Sequence, residues 1–383
     1  MPWSRSVGLI PVKQAEGNFC GPACIQMILS SLGLTQLVAD NVQQRFMDFI
    51  NVMDSTVPMG NPNGVAYTIN RFNTSGFIAP VSPAAIKYRP ARTSTPYEGC
   101  ATIVDALLHH HAPSIVAVFD ATHWVVIFGA EGDGTPGNGP FSVKRMLMCN
   151  PDNGYYKQVP RASRGPKPLY SGFSVEEITY ASFIETYFYG AANTDDNFTI
   201  VTTSLAKSDP DLLPPYPEDA PEPVKPALQA ALDARPIPGL DPLPEKAHRG
   251  KPRVVRRVDH GSLYYLIPVV LPDDAGQIVR FDAQGRYAGR LFGSAEQAAR
   301  LLNDGAPVES VRVFAQTEDV TLDANELHRD DTLVWRPSDK SATPYHPFHV
   351  VTHDGGTTYL VSQEGTVVRE LLDLRTRAPL TIL

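Results

Sequence analysis

The sequence predicts an α+β protein in which a helical layer precedes an antiparallel sheet over about the first 200 residues, followed by a proline-rich connector and a small β-rich part. Three observations carry this. Apolar residues recur at helical spacing up to Phe72, whereas short apolar runs with strand character take over from Pro113 to Thr203. Between Asp209 and Pro252 prolines fall at 210, 214, 215, 217, 221, 223, 226, 236, 238, 242, 244 and 252, a density that excludes a regular helix or internal strand over most of the span. From Arg253 onward, short alternating strands are separated by Asp-Gly and Gly-Gly turns. The expected divisions are residues 1–205, 206–252 and 253–383.

In chain order, Val7 to Val12 is short and apolar with a proline and suits an extended segment. A loop of polar and small residues then runs from Gln14 to Cys20, where an apolar helix begins (Ala23, Ile25, Met27, Ile28, Leu29, Leu32) and stops at Gly33. A thiol at a helix start lies at the positive end of the dipole, which favours the thiolate. Gln14, six positions upstream, is a candidate to donate its side-chain amide to an oxyanion. A lone cysteine here is otherwise a small core residue. A nucleophile needs a base, and the base needs an orienting partner.

Leu37 to Met53 predicts a second helix (Val38, Val42, Phe46, Phe49, Ile50), Pro58 to Gly64 a turn, and Val65 to Phe72 a third helix. Tyr97 to His111 is helical in pattern and ends in His109-His110-His111. Consecutive histidines on a helix point in different directions, so they suit a solvated end and not a metal tract. Pro113 to Phe119 predicts a strand. His123 then opens Trp124 to Phe128, an apolar run closed by Gly129, and Val143 to Cys149 predicts the next strand, ending in Asn150-Pro-Asp-Asn-Gly154. Asn150 is placed to accept from the His123 imidazole and fix its tautomer, with Asp152 as the rival for that role. Further strands are expected at Tyr155 to Val159 and Phe198 to Thr203, with an aromatic-rich helix from Ala181 to Tyr189 between them.

Gln14, Cys20-Gly-Pro-Ala, His123-Trp-Val-Val-Ile-Phe-Gly and Asn150-Pro, in that order, resemble the motifs of papain-like cysteine peptidases, and most of all the bacterial C39-type branch. The resemblance covers about the first 200 residues and implies a papain-like fold. It departs from the family in the longer connection between the His strand and Asn150-Pro, and in Asn150 where Asp is common. By resemblance Cys20, His123 and Asn150 form a catalytic triad with Gln14 in the oxyanion hole, and neither a cofactor nor a metal is required.

A formal net charge of -8 argues against a broad nucleic-acid surface, and no apolar stretch approaches a membrane span. Four cysteines (Cys20, Cys24, Cys100, Cys149) are too few and scattered for a disulfide framework. The N-terminus lacks the apolar core of a signal peptide, so the expected location is cytoplasmic, with signal-independent export left open.

In the C-terminal part, Tyr264 to Val270 followed by Ile278 to Gly285, and Tyr345 to Val351 followed by Tyr359 to Gly365, read as a repeated β-hairpin. Ser294 to Asn303 reads as an inserted helix with a serine cap and Glu296. His346, His349 and His353 lack an acidic or cysteine partner that would complete a metal set. Binding a protein partner, or placing the catalytic domain, is the expected role of this part. The function expected overall is thiol-dependent hydrolysis of a protein or peptide amide bond. The alternatives are an acyltransferase or deamidase on the same fold, as in an effector or toxin, and an inactive peptide-binding module.

Overall fold

The computed structural model describes residues 2–15, 19–34, 37, 42–53, 61–74, 86–119, 121–136, 141–151, 174–188, 198–203, 232, 236–238, 240–259, 261–272, 274–301, 306–318, 320, 322–338, 340–372 and 379–380. The chain divides into two compact units, Met1–Pro217 and Glu218–Leu383. Its content is mixed α and β, with a large sheet.

The first unit opens on β1 (Pro2–Ser6), which pairs antiparallel with Gly129 to Asp133. Its sequence, Pro-Trp-Ser-Arg-Ser, carries no strand signal of its own; the partner edge supplies the order, with Trp3 Nε1 donating to the Asp133 carbonyl at 3.2 Å. α1 (Cys20–Ser31) follows, closed at Gly33 by the Leu34 N–H on Leu29 O and the Gly33 N–H on Ser30 O. α2 (Val42–Met53) and α3 (Pro62–Thr74) complete one helical layer. α3 begins inside the expected turn: Asn61 Oδ1 accepts from the Asn63 N–H at 2.8 Å and Pro62 takes the first helical position, so the last of these turn-forming residues cap a helix.

Then come β2 (Arg89–Thr93), α4 (Pro96–His109), β3 (Ser114–Val118), β4 (His123–Gly134), β5 (Phe141–Asn150), β6 (Ser174–Thr179), α5 (Tyr180–Thr186) and β7 (Phe198–Thr202). Within this unit the strand order is β6-β5-β4-β3-β7-β2, all antiparallel, with β1 beside the far half of β4. The expected strand at Tyr155 to Val159 lies outside the described residues.

The apolar stripes of α1 to α3 (Ile25, Ile28, Phe46, Ile50, Val65, Ile69) share a core with Ile115, Ala117, Trp124, Val126 and Val201 of the sheet. The sheet is not backed by one layer alone. Gly99 of α4 abuts Ile200, which alternates with Val201 along β7, so α4 covers the opposite face. Two-sided burial explains why β3 and the start of β4 are continuous apolar runs instead of alternating ones.

In the second unit β8 (His248–Arg249), β9 (Arg253–Arg257), β10 (Leu263–Val270), β11 (Ala275–Phe281) and β12 (Tyr287–Ser294) precede α6 (Ala295–Arg300) and α7 (Ala306–Thr317). β13 (Leu327–Arg329), β14 (Leu333–Trp335), β15 (His349–His353), β16 (Thr358–Val361) and β17 (Val367–Val368) follow. One sheet has the order β14-β9-β10-β11-β12, and another has β13-β15-β16-β17. The described part of the proline-rich span is packed within this unit. Leu232, Ile237 and Leu240 are buried against Tyr265, Ile267, Val269 and Phe281, and β8 pairs with β10. The chain bends between these anchors, with the Leu240 N–H on the Ile237 carbonyl and the Ala247 N–H on the Pro244 carbonyl, each at 3.0 Å.

The two hairpin stretches end in the same turn. Asp282 Oδ1 accepts from the N–H groups of Gln284 and Arg286, each at 2.9 Å, and Ser362 Oγ accepts from those of Glu364 and Thr366 at 3.3 and 3.1 Å. Gly285 and Gly365 take φ values of 71° and 81°, which glycine adopts without a Cβ penalty. The cap of α6 is a capping box completed by Gln297 and not by Glu296, which pairs with Arg300 instead.

At Gly64 a Cβ would lie 2.6 Å from the Ile50 carbonyl oxygen, where α3 crosses α2. Gly→Ala within a helix ordinarily gains up to about 1 kcal/mol. Here overpacking reverses the sign, and Gly64→Ala is expected to destabilise by about 1–3 kcal/mol, read as a lower urea midpoint at unchanged slope.

Candidate active site

Cys20 is the first residue of α1. The Ala23 N–H bonds the Phe19 carbonyl at 2.9 Å, the N-cap residue Phe19 makes no side-chain cap bond, and the first turn of the helix carries no acidic residue. The local field therefore favours an anion at this end. Cys20 is buried in the core that holds Cys24, Trp124, Val126 and Cys149. Trp124 and Cys149 are the sequence neighbours of His123 and Asn150.

β3 and β4 form a hairpin in which Val118 pairs with His123. The turn between them places Phe119 and Ala121 at φ 53° and 55°, and the Thr122 hydroxyl and N–H both bond the Phe119 carbonyl. His123 thus enters β4 with its ring stacked on Phe119, centroids 6.4 Å apart. On the other side of β4 the register pairs Val126 with Cys149; continued by one step, it sets Asn150 opposite Val125, diagonal to His123 on the same face. The side chains meet: His123 Nε2 lies 2.8 Å from Asn150 Oδ1. An amide oxygen only accepts, so Nε2 carries the proton and Nδ1 keeps the lone pair of a base. Both residues are buried. Asp152 lies outside the described residues.

Alternation turns Trp124 and Val126 toward α1 and sends His123 and Val125 to the other face of β4. Polar groups that the sequence did not signal line that face. Ser174 stands opposite Asn150 across β5 and β6, and its hydroxyl donates to Glu176 Oε1 at 2.7 Å. The Tyr187 hydroxyl donates to Glu176 Oε2, and the Tyr187 ring packs 5.1 Å from that of Phe119. Glu176 is fully buried. A carboxylate in a strand that pairs with both a polar and an apolar row leaves no periodic signature.

Gln14 is buried, and its backbone N–H donates to the Pro151 carbonyl at 3.0 Å, one residue beyond Asn150. The approach loop is thereby tied to the strand end that carries Asn150. Gln26 and Gln43, both fully buried, hold the same loop from the helical side.

The other three thiols are buried as well. Burial pushes Cys24, Cys100 and Cys149 well above the ordinary thiol range; the charges of Cys20 and Cys149 add to the rise at Cys24, and that of Glu176 at Cys149. All four cysteines are free. Among the described residues no cluster of His, Cys, Asp and Glu has the arrangement of a metal site. His353 Nε2 faces Glu326 Oε2 at 3.2 Å, and His349 is buried in β15. His109 lies 3.8 Å from Asp105 on its own helix, and His111 contacts Arg5. No helix of the described residues is long and apolar enough to cross a membrane.

No protein-family model, curated protein or solved structure matches this chain.

The buried thiols make stability pH-dependent with a fixed sign. Their folded pKa values exceed the unfolded one, so the stability they contribute is complete below about pH 8.5 and is lost as pH rises above it. Each thiol steepens the fall by up to about 1.4 kcal/mol per pH unit. Urea midpoints are expected to be insensitive to these groups from pH 7 to 8 and to drop between pH 8.5 and 9.5, with a shallower drop in Cys100→Ala.

Proposed function

We propose that the first unit is a papain-like cysteine peptidase acting on a protein or peptide amide bond. The observation that carries this is the buried His123–Asn150 hydrogen bond, which leaves Nδ1 as the basic nitrogen; the sequence neighbours of the pair, Trp124 and Cys149, share a core with Cys20, the first residue of α1. Helices packed on an antiparallel sheet support the papain-like assignment at the level of architecture. His123 occupies the first position of β4, and Cys20 the first of α1.

In this mechanism His123 Nδ1 takes the Cys20 proton, and the imidazolium is stabilised by the Asn150 carbonyl. Sγ attacks the substrate carbonyl carbon, and the Gln14 amide with the Cys20 N–H holds the tetrahedral oxyanion, each donor being worth about 2.7–4 kcal/mol. Collapse breaks the C–N bond as the imidazolium gives its proton to the departing amine. Water, deprotonated by Nδ1, then splits the thioester and restores the thiol.

The test is native-state alkylation with iodoacetamide across pH, with peptide mapping. Cys20 is expected to label below pH 7 at a rate roughly 10- to 100-fold above an ordinary thiol, after allowing for the lower nucleophilicity of a low-pKa thiolate. His123→Ala should abolish that advantage, and Cys24, Cys100 and Cys149 should stay unlabelled until the chain is unfolded. If Cys20 reacts only near pH 8.5, or no faster than Cys100, the peptidase assignment is lost.

A further inference from the structure

We propose that Gln43 is a positioning residue of this site, clamping the backbone on both sides of Gln14 so that the Gln14 amide is delivered to the oxyanion; this rests on the peptidase assignment above. Gln43 stands on α2, distant in sequence from every triad member, and is fully buried. Its Nε2 donates to the Lys13 carbonyl at 2.7 Å, and its Oε1 accepts from the Ala15 N–H at 2.8 Å. These two backbone groups flank Gln14. In an extended segment the carbonyl of one residue and the N–H two residues on point the same way, so one side-chain amide meets both as a neighbouring strand would.

The second Nε2 hydrogen of Gln43 goes to Gln26 Oε1 at 2.9 Å, and Gln26 Nε2 donates to the Leu37 carbonyl at 2.6 Å. Gln26 belongs to α1, the helix that Cys20 begins. On the opposite edge, the Gln14 N–H is held by the Pro151 carbonyl at 3.0 Å. Residue 14 is therefore fixed from both sides, to the nucleophile's helix through Gln43 and Gln26, and to the strand end of Asn150 through Pro151. What remains to Gln14 is its own side-chain torsions. Burying an amide costs free energy unless its donors and acceptor are bonded. Gln43 bonds both hydrogens and its oxygen.

A residue that merely stabilises the core would affect every reaction of Cys20 alike. An oxyanion clamp would not. Alkylation by iodoacetamide displaces iodide at a saturated carbon and forms no oxyanion. With p-nitrophenyl acetate, Cys20 Sγ bonds to the acetyl carbon, a tetrahedral oxyanion forms, and the C–O bond breaks to release p-nitrophenolate, leaving the thioester. The ratio of the two rates isolates the oxyanion contribution.

The experiment measures both rates at Cys20 in the full chain for wild type, Gln43→Met, Gln14→Ala and the double variant. Gln43→Met is expected to leave alkylation within about two-fold while slowing acylation about 10- to 100-fold, short of the 10²- to 10³-fold typical of losing an oxyanion donor. The double variant should acylate no more slowly than Gln14→Ala, because the clamp acts through that one side chain. Unchanged alkylation certifies the fold in the same sample. If Gln43→Met does not fold, Gln43→Glu keeps the acceptor for Ala15 and removes both donated bonds, with the same expectation. Equal slowing of both reactions, no change in either, or additive effects in the double variant overturns the proposal. If wild-type Cys20 reacts with neither reagent, the peptidase assignment fails and the clamp with it.

Discussion

The register between β4 and β5 is the constraint on which the candidate site depends. Pairing Val126 with Cys149 sets Asn150 diagonal to His123 on one face of the sheet. A slip of one residue would turn Asn150 to the other face and bring Cys149 to that side. Burial on both faces prevents such a slip, because Trp124, Val126 and Cys149 are committed to the core under α1 while Val125 and Met148 are buried on the other side. Apolar packing thus fixes the relation between two polar side chains.

Placing polar groups this deep requires that each be bonded. His123 and Asn150 bond one another, Ser174 and Tyr187 attend to Glu176, and Gln26 and Gln43 pass amide bonds from α1 through α2 to the approach loop. The alternative, an unbonded buried amide or carboxylate, costs on the order of 1–3 kcal/mol per group, and more for a charge. Connected networks of this sort hold their members in one arrangement, since no single group can turn away without stranding another.

Much of the first unit was legible in the sequence. The helix start at Cys20 and its stop at Gly33, the strand opened by His123, and the strand ending at Asn150 followed from periodicity and turn residues, and the His123–Asn150 contact followed from their order. β1 escaped because its strand conformation comes from the edge it joins. Asn61-Pro-Asn-Gly64 spells a turn, and a capped helix begins from part of the same residues. Glu176 and Gln43 were silent for another reason: a single buried polar residue breaks an apolar pattern without stating what it bonds. The proline count between 209 and 252 says nothing about whether a bent chain is packed, and Leu232, Ile237 and Leu240 are.

β1 has an implication of its own. Residues 2 to 6 complete the side of β4 that β3 does not reach, occupying the backbone donors and acceptors of Gly129 to Asp133. Without that short strand the molecule would present a raw sheet margin, the kind of surface that recruits an extended segment from another copy and seeds self-association. Five residues, anchored by the Trp3 ring against Phe141, thus act as a selvedge, keeping the edge of the sheet from joining to its neighbours.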